Sequence, residues 1–282
     1  MEYTTLANGL KMPLSGFGVF QVPPDATCET AVLDAINAGY RLIDTAAAYK
    51  NEKEVGNAIK KSGVKREDLF IVTKCWIQDF GYESTKKAFE TSLKNLGIEY
   101  LDLYLLHQPF GDYYGAWRAC EELYESGKVK SIGVSNFYPD RLTDLCLNCR
   151  IKPMVNQVEI HPFFQQNDAI EVMKEFNIAP MAWGPLDEGR NNIFTHPVLS
   201  EIGKKYGKSC AQVALRWNEQ RGVIIIPKSV HKERIIENFN IHDFKLSDED
   251  NEAIAKLDLG HSEICDHRSP TFVKFILSFK IH

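Results

Sequence analysis

The fold is decided by the stretch from Phe70 to His107, which reads FIVTKCWIQDFGYESTKKAFETSLKNLGIEYLDLYLLH. It contains two short apolar runs, Phe70–Lys74 and Leu101–Leu105, whose length and residue types are typical of buried β-strands. The segment between them is long enough for one helix. A strand, a helix and a second strand in this order predict two parallel strands joined by a crossover helix.

The segment between the two strands carries a helical pattern. Phe89, Leu93 and Leu96 are spaced so that they share one helix face, which would be buried against the strands. Gly97 follows at once, where a helix often ends in a left-handed residue. Three further glycines stand at equivalent places before other strands: Gly39, Gly63 and Gly127. The strand and helix unit therefore repeats along the chain.

The repeat contains eight predicted strands. They are Ser15–Val19, Arg41–Asp44, Phe70–Lys74, Leu101–Leu105, Lys130–Val134, Met154–Val158, Ala179–Trp183 and Gly222–Ile226. Eight such units in series favour a closed α/β barrel of the (β/α)8 or TIM type, since closure covers parallel strands on both faces and removes their edges. No linker rich in Pro, Gly or Ser interrupts the chain, so residues 1–282 are predicted to form one domain.

An N-terminal hairpin is predicted outside the repeat. Tyr3–Leu6 and Leu10–Pro13 flank Asn8-Gly9, which is a strong hairpin-turn signal. We expect this hairpin to close the bottom of the barrel.

Extra helices are predicted late in the chain. One fits around Pro197–Tyr206, and Ser247–Asp250 has the pattern of a capping box that starts a C-terminal helix. The alternative of an open dinucleotide-binding sheet is weakened because Gly16–Gln21 lacks the third glycine of its fingerprint.

Composition excludes several classes of protein. The chain has 282 residues, 44% hydrophobic and 25% charged, with a net charge of −5, as in ordinary globular proteins. Without a basic cluster or a long apolar segment, nucleic acid and membrane are not expected partners. No signal peptide is evident and the seven cysteines are scattered, so we expect reduced thiols and a cytoplasmic protein. No helix face carries an obvious self-complementary stripe; the oligomeric state stays open, with a monomer as the working expectation.

Polar and aromatic residues follow seven of the eight predicted strands. They are Asp44, Tyr49, Lys74, His107, Ser135, Asn136, Gln157, Glu159, Trp183, Lys228 and Ser229. In a parallel barrel the carboxyl ends of the strands meet at one rim, where active sites lie. These side chains are therefore expected to converge, although each alone has an ordinary structural interpretation as a cap, an ion-pair partner or a packed rim residue.

Four of these residues have a shared chemical logic. An ammonium such as Lys74 would lower the pKa of the Tyr49 phenol, and Asp44 would keep that ammonium charged. His107 offers an N–H to a carbonyl oxygen. Such a set can deliver a proton to an oxygen on which negative charge develops, as carbonyl reduction requires.

These residues lie in motifs by which the chain resembles the aldo-keto reductases, NADP-dependent carbonyl reductases on a (β/α)8 barrel. The motifs are Leu42–Tyr49, Val72–Lys74, Leu105–His107, Gly133–Phe137, Asn156-Gln157 and Ile226–Val230. Within the family the chain is most similar to the bacterial-type diketogluconate reductase and prostaglandin F synthase-like branch. The resemblance implies that Tyr49 is the general acid, that Lys74 and Asp44 tune it, and that His107 orients the carbonyl.

The resemblance also implies an NADPH site. Ser135, Asn136 and Gln157 match the partners of the nicotinamide carboxamide, Trp183 the residue that stacks on the nicotinamide, and Gly184, Pro185 and Leu186 the pyrophosphate loop. Lys228, Ser229, Val230 and Arg234 match the pocket for the adenosine 2′-phosphate, with Glu237 and Asn238 near the adenine. Gly18, Val19 and Phe20 complete the predicted cofactor contacts. No metal is implied.

Departures from the family pattern concern the substrate. Lys50 stands where many relatives have glycine, and Phe20 where many have tryptophan. The expected substrate-binding residues are Phe20, Trp76, Gln108 and Phe110. The tail after Ile264 is short, so the long C-terminal loop that encloses steroids in some relatives is expected to be missing. Small polar aldehydes, keto-sugars or glyoxals are the expected substrates.

Two other functions stay open at this point. Lys74 at a strand end would also suit a Schiff-base enzyme of the aldolase type. Alternatively, the barrel would bind the cofactor in a regulatory role without significant turnover.

Overall fold

Eight parallel strands form a closed barrel in the computed structural model, which describes residues 1–282. The strands are β3 (Gly16–Gly18), β4 (Leu42–Asp44), β5 (Phe70–Cys75), β6 (Leu103–Leu106), β7 (Ile132–Ser135), β8 (Val155–Glu159), β9 (Ala179–Trp183) and β10 (Ile224–Ile225). Each pairs with the next along the chain. The ring closes where the Ile225 N–H donates to Leu14 O at 2.8 Å and Ser15 bridges to Ile225. The predicted (β/α)8 barrel is confirmed.

Helices surround the barrel and alternate with its strands. They are α1 (Ala26–Ala38), α2 (Glu52–Ser62), α3 (Tyr82–Leu96), α4 (Tyr113–Glu125), α5 (Pro139–Asn148), α6 (Asn167–Glu175), α7 (Pro197–Tyr206), α8 (Cys210–Gln220), α9 (Lys232–Phe239), α10 (Asp248–Ala255) and α11 (Pro270–Ser278). Gly97 caps α3 with φ 64°, as its position predicts. Phe89, Leu93 and Leu96 are all buried in the core. The helical pattern of the sequence therefore identified the face that packs on the strands.

The additions to the repeat are also present. An antiparallel hairpin of β1 (Tyr3–Thr5) and β2 (Lys11–Pro13) precedes the barrel. The extra helix occupies Pro197–Tyr206, and the capping box of Ser247 and Asp250 starts α10. The predicted hairpin, extra helix and capping box are therefore all confirmed.

Strand boundaries differ from prediction mainly where the chain turns. Gly222 was expected to begin a strand, but it adopts φ 76° in the turn after α8, and pairing starts only at Ile224. A left-handed residue cannot continue a ladder, so the last strand is short.

None of the helices combines the length and the apolar composition that a membrane span requires. All seven cysteines are free thiols.

Replacing Gly56 by Ala tests the packing of α2 on α3. A Cβ at Gly56 would lie 2.2 Å from Leu96 O, a main-chain atom that cannot move without shifting α3. We expect a loss of about 2 kcal/mol in the free energy of unfolding, measured with urea, despite the better helix propensity of alanine. The neighbouring exposed Asn57→Ala should change it by less than about 0.5 kcal/mol. Equal stabilities would contradict this packing.

Candidate active site

Three neighbouring strands bring the predicted catalytic side chains to one rim. Asp44 ends β4, Lys74 is the penultimate residue of β5, and His107 directly follows β6. Because these strands are parallel and paired in register, their carboxyl ends lie side by side. Tyr49 is the last residue of the short 3-10 turn Ala47–Tyr49 that follows β4.

A buried ion pair lies at the centre of this group. Lys74 Nζ is 2.5 Å from Asp44 Oδ1, and neither side chain is more than 2% exposed. The same nitrogen donates to Thr45 O at 3.0 Å and to the Tyr49 hydroxyl at 3.5 Å. An ammonium has three hydrogens, so these three acceptors use all of them.

The carboxylate of Asp44 is held from its other side. Gln157 Nε2 donates to Asp44 Oδ2 at 2.9 Å. Burial raises the pKa of Asp44 and lowers the pKa of Lys74, while their mutual attraction acts against both shifts. Gln157, predicted to contact a cofactor, thus also fixes the carboxylate that holds Lys74.

The pKa of Tyr49 shifts opposite to the predicted direction. Burial raises it well above its ordinary value, and the charge of Asp44 adds to the increase. The expected lowering by Lys74 does not prevail because its ammonium is engaged 2.5 Å from Asp44 and lies 3.5 Å from the phenol. Tyr49 is therefore protonated at neutral pH and carries a proton that it can give.

His107 is a neutral imidazole in this setting. Burial, together with the charge of Lys74, lowers its pKa well below the ordinary value. Its ring lies edge-on to Tyr49, with ring centres 5.6 Å apart. A neutral imidazole carries one N–H, so it can donate a hydrogen bond to a carbonyl oxygen beside the phenol.

The predicted wall residues are distributed unevenly. The Phe20 ring packs on the Tyr49 ring with ring centres 5.1 Å apart, and the Trp76 ring packs on the His107 ring with ring centres 5.2 Å apart. Phe20 is 49% exposed. Gln108 is buried, and its Oε1 has no hydrogen-bond partner. Phe110 lies further along the same loop and is partly buried. Phe20 and Trp76 are thus the two wall residues in contact with the catalytic group.

Lys50 is exposed beside Tyr49. It adopts a left-handed conformation with φ 61° and forms no ion pair. Its place in the structure agrees with a position at the mouth of the site.

The residues predicted to meet the nicotinamide are hydrogen-bonded to one another. Asn136 donates to His107 O at 3.0 Å and accepts from Trp183 Nε1 at 2.8 Å. Ser135 Oγ donates to the main-chain oxygen of Gln157 at 2.9 Å. The structure therefore brings these residues together next to His107, and the amide of Asn136 is engaged at both ends.

Two glycine-containing segments border the same rim. Gly18 donates its N–H to Pro227 O at 3.2 Å, and a Cβ there would lie 2.8 Å from Ile226 O, so only glycine fits. Val19 follows and is fully buried. Gly184 begins the predicted pyrophosphate loop with φ 58°, ahead of Pro185 and Leu186.

The predicted phosphate pocket lies where β10 leads into α9. Lys228 and Arg234 are exposed and pair with no carboxylate, while Ser229 Oγ accepts the His231 N–H at 3.1 Å ahead of α9. Val230 is 44% exposed, Glu237 is partly buried and Asn238 is buried, on the same segment. Free cations at a helix start fit a phosphate group.

Two features of this rim were not predicted from the sequence. Glu159 and Asp187 both lie within 3.3 Å of His161 Nε2, so a buried histidine joins two carboxylates below the Gly184 loop. The tail is the second feature: it forms α11, and Phe279 O accepts the Trp76 indole N–H at 3.0 Å. The tail after Ile264 is short, yet it reaches Trp76 at the site. No sequence motif marks these contacts.

Asp44→Asn tests the buried ion pair independently of any reaction. It leaves the Lys74 ammonium buried without a counter-ion, and we expect the free energy of unfolding at pH 7 to fall by about 3 kcal/mol. The loss should shrink as the pH rises toward 10.5, since the amine is then neutral in both states. Adding Lys74→Met should recover more than half of it. Urea unfolding measures all three proteins, and an unchanged single variant would refute the pair's role.

Comparison with known proteins places this site in a family. Residues 15–259 match the model of the Aldo/keto reductase family. The chain is 51% identical to 9,11-endoperoxide prostaglandin H2 reductase of Trypanosoma cruzi, over 90% of both chains. It is also 51% identical to glyoxal reductase of Bacillus subtilis, over 89% of this chain and 91% of that one. A Bombyx mori aldo-keto reductase solved in complex with NADP superposes with a TM-score of 0.89, at 34% identity over 97% of this chain and 96% of that one. The chain belongs to the aldo-keto reductase family.

Proposed function

We propose that this chain reduces aldehydes or ketones to alcohols with NADPH, and that Tyr49 is the general acid. The observation that carries the proposal is the Tyr49 hydroxyl, which lies 3.5 Å from Lys74 Nζ with the His107 ring beside it. Two groups able to donate a hydrogen bond thereby lie side by side at the rim of the barrel. A carbonyl oxygen is the acceptor that such a pair of donors fits.

Each catalytic residue has one task. The residues at the rim would hold NADPH, which would supply the hydride to the carbonyl carbon. Tyr49 gives its proton to the carbonyl oxygen, and His107 donates a hydrogen bond that orients this oxygen. Lys74 stabilises the phenolate that Tyr49 becomes, because its ammonium is held against the hydroxyl by Asp44.

The cofactor proposal rests on the residues around the rim. Ser135, Asn136, Gln157 and Trp183 would hold the nicotinamide end, because these residues lie together beside His107. Lys228 and Arg234 would hold the 2′-phosphate of NADPH, which NADH lacks. The Bombyx mori relative solved with NADP supports this assignment.

Small polar carbonyls are the proposed substrates. The similarity to glyoxal reductase of Bacillus subtilis and to methylglyoxal reductase DkgA of Escherichia coli, 42% identical over 90% of this chain, supports glyoxals. We also propose a single domain, because one continuous core of 68 residues runs through the barrel. We further propose a cytoplasmic location, with which the free thiols agree, and a monomer as the oligomeric state.

The Schiff-base alternative is less well supported by the geometry. An attacking amine needs an exposed nitrogen with a free lone pair. Lys74 Nζ has no exposed surface and donates to three oxygens. Borohydride trapping of a carbonyl on Lys74 would favour that alternative, and NADPH oxidation by the same carbonyl opposes it. Tight cofactor binding with no turnover on any carbonyl would instead favour the regulatory barrel.

Tyr49→Phe tests the general acid. We expect kcat for methylglyoxal reduction to fall about 100- to 10,000-fold, because the proton donor is lost, with NADPH affinity unchanged. Absorbance at 340 nm and cofactor fluorescence measure the two quantities. Tyr3→Phe, at the exposed hairpin, is the matched control and should behave as wild type. A Tyr49→Phe enzyme with more than about a tenth of the wild-type kcat would refute the assignment.

Lys228→Ala combined with Arg234→Ala tests the phosphate pocket. Each cation lost removes a charge-assisted hydrogen bond, so the NADPH Kd should rise about 100-fold and the NADH Kd by less than about threefold. Lys232→Ala is the control, since Lys232 lies on α9 with Arg234, but its Nζ pairs with Asp34 Oδ1 at 3.2 Å. Equal losses for both cofactors would contradict phosphate recognition by these residues.

A further inference from the structure

His107 has no hydrogen bond that would fix its ring. Its side chain is buried, Nδ1 has no partner, and only its main-chain atoms bond to the protein. The ring is instead held between two aromatic residues. Tyr49 meets it at 76° and Trp76 at 81°, with ring centres 5.6 and 5.2 Å away. The orientation of His107 therefore depends on how firmly these two neighbours are held.

Trp76 is held by the tail of the chain. Its indole N–H donates to Phe279 O at 3.0 Å, and the Phe279 ring packs edge-on at 5.6 Å and 86°. Trp76 itself is 3% exposed. It lies two residues beyond Lys74, between β5 and the 3-10 turn Ile77–Asp79. One indole thus joins residue 279 to the catalytic imidazole.

The segment 279–282, here called the clasp, is secured next to Trp76. The side-chain amide of Gln78 accepts a hydrogen bond from the Ile281 N–H at 2.9 Å and donates one to His282 O at 2.6 Å. It therefore bonds to the main chain of the clasp through both its oxygen and its nitrogen. His282 Nε2 also lies 3.2 Å from Asp79 Oδ1. Three nearby residues after β5, at positions 76, 78 and 79, therefore build the seat of the clasp.

We propose that the clasp and Gln78 orient His107 through Trp76, which makes Trp76 and Gln78 positioning residues of the carbonyl site. Gln78 forms no hydrogen bond or ring contact with His107 or Tyr49, so it acts only by fixing the clasp that ties down the indole. With the clasp released, the indole loses its hydrogen bond and its ring contact with Phe279, so His107 packs against a less firmly held neighbour. The inference rests on the proposed reductase function for its kinetic consequence.

Gln78→Ala is the variant that tests this. Loss of one edge-to-face contact corresponds to about a two- to tenfold change, so kcat for methylglyoxal should fall by that factor while the KM for NADPH stays constant. Ending the chain after Ser278 should give the same loss. Lys280→Ala is the matched control, because its exposed side chain lies within the clasp and makes no hydrogen bond or ion pair. It should retain wild-type kcat.

Two further measurements separate positioning from general destabilisation. Trp76→Phe keeps an aromatic ring but loses the N–H, so adding Gln78→Ala to it should cause a smaller loss of kcat than Gln78→Ala causes in wild type. In the protein without added substrate, the ¹⁵N and ¹H signals of the His107 ring should shift in Gln78→Ala and remain in place in Lys280→Ala.

The ring signals also keep this inference distinct from the proposed function. If wild type fails to oxidise NADPH with any carbonyl, reduction is refuted, yet a shift of the His107 signals in Gln78→Ala would still support positioning. Wild-type kcat together with unmoved His107 signals in Gln78→Ala and in the shortened chain would overturn it.

Discussion

The site depends on a salt bridge that lies almost wholly out of water. Moving two charges out of water costs free energy. The Lys74–Asp44 pair offsets this cost by its close contact and by hydrogen bonds with neighbouring groups. Thr45 O and Gln157 Nε2 supply those bonds. A closed parallel barrel makes this possible, because neighbouring strands deliver both charged ends to the same rim and pack apolar side chains beneath them.

Burial then sets the protonation of the groups that meet this pair. Low polarity disfavours charge, so the pKa of Tyr49 is raised and that of His107 is lowered. Both side chains are neutral and both carry a hydrogen at neutral pH. The protein thus places two neutral hydrogen-bond donors side by side, with the ammonium of Lys74 3.5 Å from the phenol oxygen. In the proposed reaction, this arrangement favours an oxygen that gains negative charge over the uncharged carbonyl.

Most of the fold could be predicted from the sequence because local periodicity decides it. Residues close together in the sequence determine each strand, the buried face of α3 formed by Phe89, Leu93 and Leu96, and the helix end at Gly97. The meeting of Asp44, Lys74, Tyr49 and His107 followed from their places at strand ends. The direction of the Tyr49 pKa shift did not, since it depends on how deeply the hydroxyl lies and on how Lys74 divides its hydrogens. The clasp was also missed, because contacts between positions 78 and 281 leave no periodic pattern.

Isotope transfer from NADPH to a carbonyl carbon measures the proposed hydride transfer itself. NADPH carrying deuterium at both C4 positions is incubated with the enzyme and a ketone, and the alcohol is analysed by mass spectrometry and NMR. One deuterium is expected on the carbinol carbon of the alcohol, which was the carbonyl carbon of the ketone. An alcohol without deuterium at that carbon, or no alcohol from any carbonyl supplied, would contradict it.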